Sequence, residues 1–151
     1  MDIRIEKIKK CRVAYVRGVG PYGASNIQVM ANLKKWAEEK NLFDEEAIIY
    51  GIPQDNPQIT APKDCRYDAC IVISNDYQID DSINEAELNA GEYAVYKIKH
   101  TEEDIKKAWK EIFINLENAG YKIDNKPTIE RYSNDMVNKG YCEICVPIKK
   151  I

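Results

Sequence analysis

The sequence predicts an α+β fold: two tandem βαββ units related by an approximate two-fold axis, with one antiparallel sheet, two long helices and a central cleft. Three observations predict it. The order strand, helix, strand, strand occurs twice within 151 residues. Each unit carries one long stretch with apolar residues at the 3.6 spacing of an amphipathic helix. An acidic, polar segment at 75–90 separates the two. A single domain is expected, with repeat 1 over about 1–74, a linker over about 75–90 and repeat 2 over about 91–151.

In chain order, strand signals come first at 3–8 and 12–17, the second rich in β-formers (Val13, Tyr15, Val16). Gly18 to Gly23 reads as a turn by composition. The first helix is expected over 25–40, where Val29, Met30, Leu33, Trp36 and Ala37 share one side. A strand at 47–52 is halted by Pro53, a Pro-containing loop follows, and a strand at 66–73 closes the unit. The linker holds Asp76, Asp80, Asp81, Glu85 and Glu87, with room for a short strand or turn. The pattern restarts with a strand at 92–98. Thr101 followed by Glu102, Glu103 and Asp104 has the form of a helix start. That second helix, over 104–119, has Ile105, Ala108, Trp109, Ile112, Phe113 and Leu116 on its stripe, and Gly120 as its C-terminal cap. Strands at 128–132 and 141–148 complete the unit. Matching the halves sets Ile49-Tyr50-Gly51-Ile52 against Ile129-Glu130-Arg131-Tyr132, so Tyr50 is equated with Glu130.

Several function classes fall away on composition. Net charge is −3 with no lysine or arginine block, so no electrostatic footprint for direct nucleic-acid binding exists. No apolar run reaches the roughly 20 residues that cross a bilayer, so no membrane partner is expected. The N-terminus lacks the apolar stretch of a signal peptide, which makes the cytoplasm the expected location. The five cysteines are an odd number, against a disulfide framework. Cys142 and Cys145 have C-x-x-C spacing, but positions three apart on a strand point to opposite faces. No metal site and no cofactor are expected, and there is no Ser-His-Asp or Cys-His set. Trp36 reads as core. Arg66 and Asp68, two apart on one strand face, read as a structural pair or turn anchor, and His100 as a surface residue beside the helix cap.

The motifs Val13-Ala14-Tyr15 with Gly20-Pro21-Tyr22, Gly51-Ile52-Pro53, Cys65-Arg66-Tyr67-Asp68-Ala69, Gly91-Glu92-Tyr93-Ala94-Val95, Ala108-Trp109, Pro127 to Tyr132 and Glu143 to Pro147 occur in order along almost the whole chain. Together they resemble the GyrI-like small-molecule-binding family, the effector-binding domain of AraC-type and MerR-type multidrug regulators. The two repeats use all 151 residues, so the resemblance is to a stand-alone member without a DNA-binding helical domain.

The resemblance implies a cleft between the repeats that takes hydrophobic or cationic compounds, with a glutamate anchoring the positive charge. Glu130 occupies that place, and Glu143 the position of a second acid in the last strand. Tyr132 follows Glu130 by two and shares its strand face. The resemblance also makes Trp109 a cleft wall. Tyr15, Tyr50 and Tyr96 lie on strands expected to border the cleft, where ligand contact and ordinary sheet packing both account for them. Cys145 stands where drug-binding relatives place an aromatic. Three functions are within reach: binding or sequestering amphipathic cationic or aromatic compounds, hydrolysis of cyclopropane-bearing toxins with Glu130 as the catalytic group, and action on DNA gyrase as a protein partner.

Overall fold

The computed structural model describes residues 3–149. Its strands are β1 (Ile3–Ile8), β2 (Cys11–Val19), β3 (Ile48–Pro53), β4 (Arg66–Ile73), β5 (Asn84–Leu88), β6 (Gly91–Lys99), β7 (Lys122–Ile123), β8 (Ile129–Ser133) and β9 (Tyr141–Lys149). The helices are α1 (Ala24–Glu39), α2 (Glu102–Asn118) and the short α3 (Asn134–Asn138). Both long helices fall where apolar spacing placed them. Thr101 caps α2 by accepting a hydrogen bond from the Asp104 amide at 3.1 Å, with three acids in the first turn. Gly120, at φ 89°, ends the helix in the left-handed region open to glycine.

The main sheet is antiparallel, in the order β1-β6-β9-β8-β3-β4-β2-β5, with β7 added to the end of β9. The order is symmetric about the central β8–β3 pair. Here the structure adds what local pattern could not supply. The short strand for which the 75–90 segment had room is β5, and its partner is β2. Conversely, β1 pairs with β6 of the second half. Each half is therefore ββαββ and lends its first strand to the other. β1 lies at one edge of the sheet and β2 beside the other edge, yet only Lys9 and Lys10 join them. Three Cα–Cα steps span at most about 11 Å, so the sheet curls until its edges approach. The β5–β6 connection, Asn89 and Ala90, imposes the same closure.

Curling gives the sheet two different faces. The outer face carries the helices: α1 packs on β2 and β4, α2 on β6 and β7. Leu33, Trp36, Ile49, Tyr67 and Ile71 form the core under α1, and Ile98, Ile112, Leu116, Ile144 and Val146 the core under α2. The inner face has its own cluster, including Val13, Tyr50, Ile52, Cys70, Val95, Ile129 and Cys145. Trp36 is core as expected, and its indole N–H donates to Ser82 at 2.9 Å, tying the acidic segment to α1.

Of the two readings open for Arg66 and Asp68, the turn anchor is the one found. Arg66 and Asp68 do not pair with each other. Arg66 holds Asp55 in the loop after β3, while Asp68 receives two hydrogen bonds from Arg17, at 2.7 and 2.9 Å, and one from Gln54 at 2.9 Å. Ser133 starts α3 by accepting from the Met136 amide at 3.1 Å, in a segment between the two closing strands for which the sequence reading named no element. Cys142 and Cys145 face opposite sides of the sheet, in the α2 core and the inner cluster respectively. All five cysteines are free thiols; Cys65, Cys70, Cys142 and Cys145 are buried, and Cys11 is half-buried. Burial pushes the Cys142 and Cys145 thiols up to about 12. In native-state thiol labelling Cys11 should react first, with the others waiting on unfolding. Rapid labelling of Cys145 in the folded protein would contradict this packing.

Candidate functional site

Directly opposed residues on antiparallel neighbours point to the same side of a sheet. The ladders therefore define a row across the helix-bearing face: Tyr96, Ile144, Glu130, Gly51, Ala69 and Val16. The adjacent row, Lys97, Glu143, Arg131, Tyr50, Cys70 and Tyr15, faces the interior of the curl. The seven residues singled out in the sequence thus separate into two groups. Glu130, Trp109, Tyr132 and Tyr96 lie on the helix side. Tyr15, Tyr50 and Glu143 lie on the inner side, divided from Glu130 by the thickness of the sheet.

Glu130 sits at the centre of the molecule's approximate symmetry. Cys70 stands between Tyr15 and Tyr50 in its ladders, as Cys145 stands between Val95 and Ile129. Tyr50 is thereby equivalent to Ile129, and Gly51 to Glu130. Gly51 and Glu130 also face each other directly, so the axis passes between them. The equation of Glu130 with Tyr50 made from sequence is one residue out, and a one-residue slip moves a side chain to the opposite face.

The surroundings of Glu130 follow from this. Tyr132 Oη donates to Glu130 Oε2 at 3.1 Å, and Trp109 Nε1 on α2 approaches the same oxygen at a long 3.5 Å. Tyr132 packs against both helix cores, and the His100 ring meets it edge-on with centroids 5.5 Å apart. The indole of Trp109 leans on Phe113. Tyr67 comes from β4 on the other half. A Cβ built at Gly51 would run into the Tyr67 hydroxyl and would lie 3.4 Å from Glu130 Oε1. The missing side chain of Gly51 therefore makes room for a phenol beside the carboxylate. Gly51→Ala is expected to cost about 1–3 kcal/mol by overpacking, visible as a lowered melting temperature. An unaltered melting curve would mean that Tyr67 moves aside freely.

Removal from solvent raises the Glu130 pKa, and the hydrogen bonds from Tyr132 and Trp109 offset this only in part. The Tyr67 and Tyr132 hydroxyls are pushed well up, first by burial and then by the Glu130 charge. Among the described residues Glu130 takes part in no ion pair. The two most buried acids on the inner face are different: Asp68 has Arg17, and Glu143 has Arg4 at 2.5 Å and Arg131 at 3.0 Å. Glu143 therefore ties strands together instead of joining Glu130. Tyr15 lies beneath the Arg17 guanidinium, 5.5 Å from its ring centroid, and burial pushes the Tyr50 phenol up to about 12.

Sequence reasoning missed Tyr67 and Gly51 as parts of this site. Their signal was present, since Tyr67 shares its strand face with Ala69, but finding it required the β3–β4 and β3–β8 registers. His100, expected at the surface, is exposed but contacts Tyr132, and burial together with nearby Lys34 on α1 lowers its pKa. No group of three or more His, Cys, Asp or Glu side chains suited to a metal occurs among the described residues.

Two helices laid on a curled antiparallel sheet, with a partly buried acid and aromatic side chains at the middle, define a small-molecule-binding α+β domain. Comparison with known proteins gives the family. The GyrI-like small molecule binding domain matches residues 1–149, and the chain belongs to that family. It is 38% identical over 150 residues to "SPbeta prophage-derived putative transcriptional regulator YosT" of Bacillus subtilis (strain 168), covering 99% of this chain and 100% of that protein. A DNA gyrase inhibitor of Serratia proteamaculans (strain 568) is 28% identical over 150 residues, covering 95% of this chain and 94% of that protein. Among solved structures, the EcmrR C-terminal domain superposes with a TM-score of 0.78 at 17% identity, covering 99% of this chain and 98% of that one. SAV2435 bound to tetraphenylphosphonium superposes with a TM-score of 0.63 at 13% identity, covering 99% and 94%. No helix among the described residues is long and apolar enough to cross a membrane.

Proposed function

We propose that this domain binds or sequesters small lipophilic cations on the helix-bearing face of the sheet, with Glu130 as the counter-charge. The observation that carries the reading is the contrast between the two buried acids and the partly buried Glu130. Asp68 and Glu143 have arginine partners, while Glu130 is held in a low-solvent site with only neutral donors. A carboxylate so placed costs free energy unless a cation arrives. The aromatic faces of Trp109, Tyr132 and Tyr67 add apolar area and cation–π attraction to the same position. The Trp109–Glu130 hydrogen bond is long and therefore weak, so the indole is the part that gives way as a ligand enters. The neighbour SAV2435, solved with tetraphenylphosphonium, supports the choice of ligand class.

The test is a titration of the protein with tetraphenylphosphonium and with the neutral triphenylphosphine oxide, followed by calorimetry and tryptophan fluorescence. The cation is expected at micromolar affinity, about −8 kcal/mol, with a change in Trp109 emission, and the neutral compound at least tenfold weaker. Equal affinity for the two, or no binding of either, would remove this reading.

A hydrolytic role draws on the same residue. A carboxyl whose pKa is raised, flanked by the Tyr67 and Tyr132 hydroxyls, is suited to general acid–base work on a strained electrophilic ring. Recovery of a cyclopropane-bearing compound as its hydrated product, lost in Glu130→Gln, would establish it; unchanged compound leaves binding alone. Gyrase as a partner rests on the name of relatives such as the Serratia protein, and a supercoiling assay with purified gyrase decides it.

A further inference from the structure

On the inner side of the sheet, a cavity of about 260 Å³ opens at the end of the curl where the β1–β2 and β5–β6 connections lie. Its apolar wall comes from Ile8, Ile52, Leu88 and Ile129, and the phenols of Tyr50 and Tyr93 flank it. The volume lies just under the ~300–1,000 Å³ of pockets that hold drug-sized molecules, so its occupant is smaller than a drug. Tyr50 and Ile129 come from the same central strands that carry Gly51 and Glu130, through the opposite side of the pleat. The cavity is therefore separated from Glu130 by the sheet itself.

Its polar rim carries a cation, Lys126, where the Glu130 site carries an acid. Lys126 lines the mouth, its ammonium lying over the start of β6, where a Cβ at Gly91 would come to 3.0 Å from it. Asp124 is the carboxylate that Lys126 approaches, at 3.7 Å, and Asp124 is also shared with Lys149 at 3.6 Å. Both separations exceed a charge-assisted hydrogen bond, and two ammonium groups on one carboxylate leave one positive charge over. Glu87, the other acid at the mouth, is already paired with Lys10 at 3.1 Å. The amides of Gln54 and Asn89 complete the polar rim.

We infer that this cavity is a second ligand site, which takes a small aromatic monocarboxylate with its ring between Tyr50, Tyr93 and Ile129 and its carboxylate against Lys126. The geometry separates by charge what the two faces of one sheet accept: cations beside Glu130, anions at the mouth of the curl.

The experiment uses 2-naphthoate as probe and the full chain, with affinity read by calorimetry and contacts by NMR chemical-shift changes. Naphthoate is expected to bind and to shift the resonances of Leu88, Tyr93 and Ile129. The neutral 2-naphthalenemethanol should bind at least fivefold more weakly. Lys126→Glu, a change at an exposed side chain that leaves the fold intact, should weaken naphthoate at least tenfold. Saturating tetraphenylphosphonium should leave naphthoate affinity unchanged, so failure of the Glu130 reading and failure of this one are distinguished. Absence of binding, equal affinity of Lys126→Glu, or competition between the two probes would overturn the inference.

Discussion

Glu130→Gln should weaken tetraphenylphosphonium by at least ~1.5 kcal/mol, more than tenfold, while making the unliganded protein more stable at neutral pH. The binding loss is the lower range for a hydrogen-bonded or paired charged group. The stability gain follows from linkage. The folded-state pKa of Glu130 is raised, first by loss of solvent. A carboxyl raised in this way contributes stability below its unfolded pKa, and that contribution is lost as pH rises through its folded pKa. At neutral pH the ionised group is a cost, which glutamine removes, on the order of 1 kcal/mol for a half-buried polar site. The advantage of the variant should therefore shrink toward zero as pH falls below the ordinary glutamate range. Triphenylphosphine oxide should bind wild type and variant nearly alike. Opposite signs for affinity and stability are the signature of a strained functional group. A purely structural glutamate would lose stability on substitution.

Arg131→Met, one residue away and on the other face, should show the reverse behaviour: a loss of about 3 kcal/mol in unfolding free energy. Arg131 is the centre of a network on the inner face. It reaches Glu6 on β1 at 2.6 and 3.0 Å and Glu143 on β9 at 3.0 Å, and Arg4 on β1 bridges Glu143 at 2.5 Å. The Glu143 side chain is only 5% exposed and that of Arg131 11%, so removing the arginine leaves a buried carboxylate with half its neutralisation. Breaking a buried pair on one side costs about 3–5 kcal/mol, and the remaining Arg4 contact argues for the lower end. For a chain of this size that lowers the melting temperature by roughly 6–12 °C. The Arg131 hydrogen bond lowers the Glu6 pKa, with burial opposing it. A depressed carboxyl supplies stability above its unfolded pKa and loses it as pH falls. The variant should therefore be destabilised most at neutral pH and approach wild type in acid. Glu143→Met together with Arg131→Met should recover much of the loss, since a buried pair replaced by apolar groups is often neutral. A single variant with wild-type stability would mean that β1 is held by its backbone ladder alone.

These two neighbours also show what the sequence could and could not convey. Strand alternation within 128–132 placed Glu130 with Tyr132 and Ile129 with Arg131, and the structure has them so. Helix spacing located α1 and α2 to within two residues, and the Thr101 cap fixed the start of α2. Local periodicity carries this information because it depends only on neighbours along the chain. Register between strands does not. The sequence equated Glu130 with Tyr50 across the repeats, but the β3–β8 register sets Gly51 opposite Glu130, which puts Tyr50 on the inner face and Tyr67 beside the carboxylate. The exchange of β1 and β5 between halves is likewise set by closure of the curl, through connections of two residues whose consequences appear only in three dimensions. Glu143 looked like a second cleft acid because nothing along the chain announces that Arg4 and Arg131 converge on it.

The proposal for Glu130 comes down to one carboxyl group whose charge waits for a partner. Its titration, followed by ¹³C NMR of labelled side-chain carboxyls with and without tetraphenylphosphonium, tests that most directly. Glu130 should titrate above the ordinary glutamate range in the free protein, and its pKa should fall when the cation is bound, with no such change on adding triphenylphosphine oxide. An ordinary pKa in the free protein, or one that the cation leaves unmoved, would contradict the assignment of Glu130 as the counter-charge.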